Sequence, residues 1–170
     1  MRLLAVIGAL AIILAICAGV YFFGGYYSVS AAEADPPIVK WALTLVRTAS
    51  IEKHAIYSPP KPIDDPALVK AGARAFAQRG CANCHGGPGV GWAKFSEGLR
   101  PDPPDLKDAA KELTAPQIFW VVKNGINMTG MPSFGAIKAS DDEIWSIAAF
   151  VKQIGSVKPE DYKAWSEAAQ

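Results

Sequence analysis

Five consecutive residues constrain this chain more than any other feature: Cys81-Ala82-Asn83-Cys84-His85. The spacing C-x-x-C-H is the attachment signature for c-type haem. Two thiols three positions apart sit on one side of a short turn, where both can add to the vinyl groups of one porphyrin. The His directly after the second thiol then lies beneath the ring, where its imidazole binds iron on the proximal side. A bare C-x-x-C would leave zinc and thiol redox chemistry open. A tetrahedral zinc site needs further Cys or His ligands, and the sequence holds only Cys17 and His54 besides these. A thioredoxin-like dithiol needs a βαβ setting, and the sequence carries no strand pattern. The expected cofactor is one covalent haem c with its iron, held by Cys81, Cys84 and His85.

A net charge of +1 over 170 residues suits one modest domain with appendages and gives no sign of nucleic-acid binding. Much of the apolar content lies at the start. Arg2 is followed by an uncharged run from Leu3 through Ser30, strongly apolar from Leu3 to Phe23. About 20 apolar residues suffice to cross a bilayer as a helix, and Arg2 ahead of them favours a cytoplasmic N-terminus. Tyr21, Phe22, Phe23, Tyr26 and Tyr27 would sit at the far interface, where amphipathic rings collect. The rival reading is a cleaved signal peptide, because Ala32-Glu33-Ala34 has the small-x-small pattern of a cleavage site. The run exceeds the roughly 7–15 residues of a signal core, and that site lies well past its end, so an uncleaved anchor is favoured. Leu14-Ala15-Ile16-Cys17 faintly resembles a lipid-attachment box. Ile16 is too bulky for it, which leaves Cys17 as a small apolar residue. Either way the remainder is exported.

Helical start signals divide the rest of the chain. Asp35-Pro36 reads as a cap and first helical residue, opening a helix to about His54 with Ile38, Trp41, Leu45 and Val46 among polar residues. This helix is expected just outside the membrane, packed on the next domain or on a partner. Ser58-Pro59-Pro60-Lys61-Pro62 cannot continue it and marks a linker. Asp65-Pro66 repeats the start signal for a helix to Gln78, closed by Gly80. Gly86-Gly87-Pro88-Gly89 is a turn, and Val90 to Asp108 reads as loop because Pro101, Pro103 and Pro104 prevent regular structure. Thr114 and Gln117 form a capping box for a helix over Ala115–Asn124, closed by Gly125. After a loop, Ile126 to Ala139, Ser140 and Glu143 form a second box. It opens a helix with Ile144, Ile147, Ala148 and Val151 on one face, ended by Gly155. Pro159 to Ala168 reads as a last short amphipathic helix. The expected divisions are an anchor at 1–30, a juxtamembrane helix and linker at 31–64, and a haem domain at 65–170.

The loop Asn127-Met128-Thr129-Gly130-Met131-Pro132 should close the other face of the haem. A thioether is a soft, neutral ligand that favours Fe(II) and raises the potential. Met131 is preferred, since Gly130 lets the backbone approach the ring and Pro132 stiffens the segment. Met128 and an open sixth position are the alternatives, with His54 a weak third. A loop Met that merely fills a gap in the core is the plain structural reading.

The C-x-x-C-H motif, the later Met-Pro and the helices around them resemble class I c-type cytochromes over roughly Asp65 to Gly155. The resemblance implies an all-α fold in which an N-terminal helix crosses a C-terminal helix through a Gly and an aromatic. Gly72 and Phe76 match those positions, with Trp145 or Phe150 as partners. It also implies haem attachment by Cys81 and Cys84, axial ligation by His85 and Met131, and a loop-proline carbonyl that accepts from the axial His. Pro88 and Pro103–Pro104 are the candidates for that carbonyl. Pro103-Pro104-Asp105-Leu106, Phe119 through Ile126 and Thr129-Gly130-Met131-Pro132 look like bacterial membrane-anchored monohaem cytochromes.

The resemblance implies one-electron transfer through an exposed haem edge, with no catalysis by the chain itself. The expected setting is the bacterial inner membrane, crossed once, with the haem domain in the periplasm. Redox partners would be a dehydrogenase, a quinol-oxidising complex or a terminal oxidase, met through small transient contacts. A fixed subunit of such a complex, docked by the 36–54 helix, is the second reading. A ligand-binding or peroxidatic haem protein is the third, and needs a vacant distal face. Trp92, Arg100 and Trp120 are candidate neighbours of the haem edge or propionates.

Overall fold

The computed structural model describes residues 1–167, and the regular structure among them is helical, apart from one isolated bridge between Gly87 and Val90. The chain divides into two units, Met1–Ala34 and Asp35–Gln170.

The first unit is built on α1, Arg2–Phe23, which buries none of its residues. At about 1.5 Å per residue it is long enough to cross the roughly 30 Å hydrocarbon core of a bilayer, and it is apolar enough to do so. Tyr21 and Phe22 meet edge to face at 5.3 Å, and Tyr27 folds back to 5.2 Å from Phe22. Tyr21, Phe22 and Tyr27 thus form a cluster at one end of α1.

In the second unit, α2 spans Pro37–His54. It starts one residue later than Asp35-Pro36 suggested. Pro36 is itself the cap, with ψ of 139° and no side-chain cap hydrogen bond. A residue before proline is pushed out of the helical region, so Pro37 forces Pro36 to stay extended. Only the end of α2 packs on its own unit. Ile51 is buried and His54 stacks on Trp120 at 5.9 Å, whereas Ile38, Trp41, Leu45 and Val46 are all exposed. The helix thus meets its own unit through its last turn, and these four residues lie outside that contact.

α3, Pro66–Gln78, starts as its sequence dictates. Asp65 accepts from the backbone of Ala67 at 2.8 Å and of Leu68 at 3.4 Å. It crosses α7, Asp141–Gln153, at Gly72, where an added Cβ would strike the Ser146 carbonyl and lie 2.9 Å from Phe150 Cβ. Close approach requires Gly here. Of the two proposed partners for Phe76, Phe150 is the one in contact, at 5.1 Å. Trp145 stacks on Phe119 instead, at 4.1 Å. Eight consecutive residues of α7, Ile144 to Val151, are buried, because α3 and the helices Leu106–Glu112 and Ala115–Asn124 all pack on it.

The segment read as loop from Val90 to Asp108 contains a 3-10 turn, Lys94–Gly98, and the start of α5, Leu106–Glu112. Asp105 caps α5, accepting from the Lys107 backbone at 2.7 Å. The prolines precede this helix and do not interrupt it. Lys152 on α7 donates to the Ala110 carbonyl and, at 3.0 Å, to that of Leu113, satisfying the end of α5.

α6, Ala115–Asn124, shows the complete capping box, with the Thr114 N–H donating to Gln117 Oε1 at 2.8 Å. The second box is half formed. Ser140 Oγ accepts from Glu143 N at 3.2 Å, while the Glu143 carboxylate turns away to Arg79. α7 ends at Gln153 with Ile154 as cap, just before Gly155. Finally α8, Pro159–Glu167, sets Tyr162 against Phe150 at 5.5 Å. The expected end of this helix at Ala168, and the last residues of the 65–170 division, lie outside the described residues.

Candidate functional site

The site begins where α3 stops. Gly80 takes φ +73°, a left-handed conformation that a residue with a side chain avoids. The chain then re-enters a single helical turn, α4, Cys81–His85. Both thiols are free and partly exposed. Burial pushes the Cys81 thiol up to about 12. Cys81 and Ala82 rest against the hydrophobic core, so the turn is fixed to the frame on one side.

His85 Nδ1 lies 3.0 Å from the Pro104 carbonyl oxygen. A carbonyl can only accept, so Nδ1 carries the proton and Nε2 keeps its lone pair. Burial also lowers the imidazole pKa, against the opposing pull of the Pro104 carbonyl, and so favours the neutral form that binds metal. Of the candidate prolines, Pro104 therefore orients His85. Asp105 supports it by anchoring the next residues into α5.

A cleft of about 390 Å³ opens beside this turn, lined by Cys84, His85, Trp92, Arg100 and Pro104 among others. Two of the three proposed neighbours are thus here. Arg100 is already engaged, pairing with Asp102 and donating to the Leu99 carbonyl at 3.0 Å. Trp120 is placed elsewhere, under His54. His54 donates from Nδ1 to the Ser50 carbonyl at 2.8 Å, so it is held as part of the α2–α6 contact and does not line the cleft.

The two loop methionines differ sharply. Met128 is 88% exposed with φ +59°, whereas Met131 is half-buried and packed on the core. Thr129 braces the bend between them. Its hydroxyl donates to the Ile126 carbonyl at 2.7 Å and accepts from Met131 N at 3.1 Å. Gly125, at φ +69°, allows the loop to return on itself, since a Cβ there would come within 2.7 Å of Pro132 C and Ser133 N. Gly130 serves a contact with protein, where a Cβ would lie 3.0 Å from Leu99 Cδ1. The Met131 loop and the loop leading to Arg100 and Pro104 are thereby joined.

Sequence reasoning missed the roles of Thr129, Leu99 and Asp105. A Thr two residues ahead of Met131 is a recognisable local hydrogen-bonding motif, and Asp105 carries the same signal as Asp65. Nothing in the sequence pointed to Leu99.

Among the described residues no group of three or more His, Cys, Asp or Glu side chains is placed to hold a metal ion. The donors are instead two free thiols on one turn, one imidazole with a directed Nε2 and one half-buried thioether. The two thiols and the imidazole on one turn fit a haem bound covalently there, while Met131 is not among the residues that line the cleft beside them. The family model described as cytochrome c oxidase, cbb3-type, subunit III matches residues 67–151, half of the chain. No curated protein and no solved structure gives a significant match.

Proposed function

The chain belongs to the family described as cytochrome c oxidase, cbb3-type, subunit III, and from that premise we propose that it is a membrane-tethered one-electron carrier with His85 and Met131 as axial ligands. Membership makes it a class I c-type cytochrome that holds haem c covalently and works in electron transfer. When bound, the haem supplies a one-electron Fe(III)/Fe(II) couple. The finer assignments rest on this chain's own residues.

Cys81 and Cys84 are the attachment points, being the two thiols that share a turn with a His. The observation that carries the axial assignment is the hydrogen bond from His85 Nδ1 to Pro104 O. It fixes the tautomer, aims Nε2 away from that carbonyl and makes the imidazole a better donor. Met131 is the second ligand because it is half-buried in a braced loop, while Met128 stands in solvent. With His85 and Met131 both holding the iron, no position would remain for a substrate, which favours a carrier over a peroxidatic or ligand-binding protein. α1 tethers the haem unit to the bacterial inner membrane with that unit in the periplasm. Its partners are a periplasmic dehydrogenase, a quinol-oxidising complex or a terminal oxidase. The family description, naming an oxidase subunit, favours as second reading a fixed place in such a complex.

The test is optical. Acid-acetone should leave the haem on the polypeptide, and the oxidised protein should show the weak sulfur-to-iron charge-transfer band at the red end of the spectrum. That band should survive Met128→Ala and vanish in Met131→Ala. The reverse pattern would show Met128 to be the ligand. A wild-type protein without the band that binds carbon monoxide readily would overturn the carrier reading. N-terminal sequencing of the mature protein checks the tether, since a chain beginning near Asp35 would be a soluble, processed form.

A further inference from the structure

α8 reaches back to the stretch that follows His85. The family match ends at residue 151, so this helix, Pro159–Glu167, lies beyond it. Pro159 suits a first helical position, and Glu160 and Asp161 suit the first turn. Tyr162 follows them and is 3% exposed. Its ring stacks on Phe150 at 5.5 Å and meets Phe76 edge to face at 6.5 Å. The crossing of α3 and α7 thus sets where this ring lies, and a close-packed interior leaves it little room to move.

One edge of the ring faces Gly87. A Cβ on Gly87 would lie 3.3 Å from Tyr162 Cε1 and 3.4 Å from Cζ. Two residues on, a Cβ on Gly89 would lie 2.7 Å from Pro159 Cβ. Between them Pro88 is buried. Gly87 to Val90 close a turn, with Gly87 N donating to Val90 O at 2.8 Å and Val90 N to Gly87 O at 3.0 Å. Gly86 ties this turn to the attachment turn, its N–H donating to Ala82 O at 2.9 Å. A Cβ on Gly86, at φ +67°, would lie 3.0 Å from Val90 O. Little slack therefore lies between His85 and the surface of α8. A shift of the Gly87–Val90 turn is passed through Gly86 to the His85 backbone, and from there to the bond between Nδ1 and Pro104 O.

We propose that Tyr162 is a positioning residue for His85. α8 holds the Gly87–Val90 turn against the core and so fixes the imidazole plane from its backbone end, as Pro104 fixes it from Nδ1. The inference rests on the reading of His85 as the proximal ligand, and on neither Met131 nor the membrane.

The test uses the full-length, haem-loaded, oxidised protein with cyanide on the iron, which takes the sixth position whatever held it before. The order and spacing of the four haem-methyl proton resonances then follow the plane of the remaining imidazole. Gly87→Ala presses a methyl against the ring edge, and Tyr162→Leu withdraws the ring. Gly91→Ala is the control, since a Cβ there meets nothing within 4 Å. Both single variants should shift the methyl pattern, and Gly91→Ala should leave it in place. The double variant should lie closer to wild type than Gly87→Ala does, because the two act through one contact. Methyl shifts that simply add in the double variant would overturn the inference. So would an unmoved pattern in Gly87→Ala beside a lowered melting temperature, which would make α8 a packing element only. Gly87→Ala decides the matter alone if Tyr162→Leu does not fold. These outcomes leave the ligand reading standing. Hyperfine-shifted imidazole protons that trace to a residue other than His85 would remove that reading and this inference together.

Discussion

Arg79 and Glu143 meet as a two-point fork, Nε to Oε1 at 2.6 Å and the second guanidinium nitrogen to Oε2 at 2.8 Å. Arg79 caps α3 immediately before Gly80 and Cys81, and Glu143 lies in the first turn of α7. The pair therefore locks the end of the crossing nearest the candidate attachment turn. Arg79 holds the Glu143 carboxyl below its ordinary value of 4.5. A depressed carboxylate stabilises the fold above its unfolded pKa, and that contribution is lost as pH falls through the folded pKa. The side chains are 29% and 26% exposed, so the pair is worth about 1 kcal/mol. Glu143→Gln should be less stable than wild type by about that amount at neutral pH. The gap should close as pH drops below the folded pKa of Glu143, read from thermal melts across the acid range.

Gly72→Ala should be far more costly than its size suggests. The new methyl collides with the backbone carbonyl of Ser146, which cannot rotate aside as a side chain would. Overpacking of this kind costs about 1–3 kcal/mol, and each kcal/mol lowers the melting temperature of a small domain by roughly 4–8 °C. Gly155→Ala is the control, since a Cβ there meets nothing within 4 Å. Melting temperatures of the two variants, measured side by side, check the claim.

Thr129→Val keeps the shape of the residue and removes its hydroxyl. The Ile126 carbonyl loses its donor and Met131 N loses its acceptor. Leaving such groups unpaired costs about 1–3 kcal/mol, and about 1.4 kcal/mol is tenfold in an equilibrium constant. The Met131 sulfur should then be displaced more readily. Titrating the oxidised protein with imidazole should show roughly tenfold tighter apparent binding in Thr129→Val. Unchanged affinity would mean that the loop is held without Thr129.

Asp105→Ala removes the cap of α5 and loosens the segment that presents Pro104 to His85. The stability cost should be about 1 kcal/mol. The more telling readout is the potential, because a weaker hydrogen bond at Nδ1 makes the imidazole a poorer donor to Fe(III). Redox titration should find the potential raised in Asp105→Ala. Lys107→Ala, which touches the same turn and retains the cap, should leave it unchanged.

What the sequence made legible was local. Asp65, Thr114 with Gln117, and Ser140 each bond within three residues, so their caps could be read without knowing the fold. The attachment turn was legible for the same reason. α5 was hidden because Pro101, Pro103 and Pro104 drew attention from Asp105, although a proline ahead of a cap does no harm to the helix after it. The start of α2 slipped because Pro37 overrules Pro36. Glu143 could not be read locally, since its partner Arg79 is 64 residues away and a forked ion pair outcompetes the reciprocal half of a capping box. The choice of Pro104 over Pro88, and of Phe150 over Trp145, likewise needed tertiary contacts.

The burial of α7 on every side bears on how a protein of this kind can diverge. From Ile144 to Val151 each side chain is enclosed, so a change there alters packing against α3, α5 or α6. None of the candidate ligands lies on this helix. Residues 86–105 and 126–139 border the candidate ligands and are mostly open to solvent. Apart from buried positions such as Ser96, Phe134 and Ala139, substitutions that retune a potential or fit a new partner can fall in those two loops without disturbing the frame. The rigidity of the scaffold and its electrical properties are thereby set by largely different stretches of the chain.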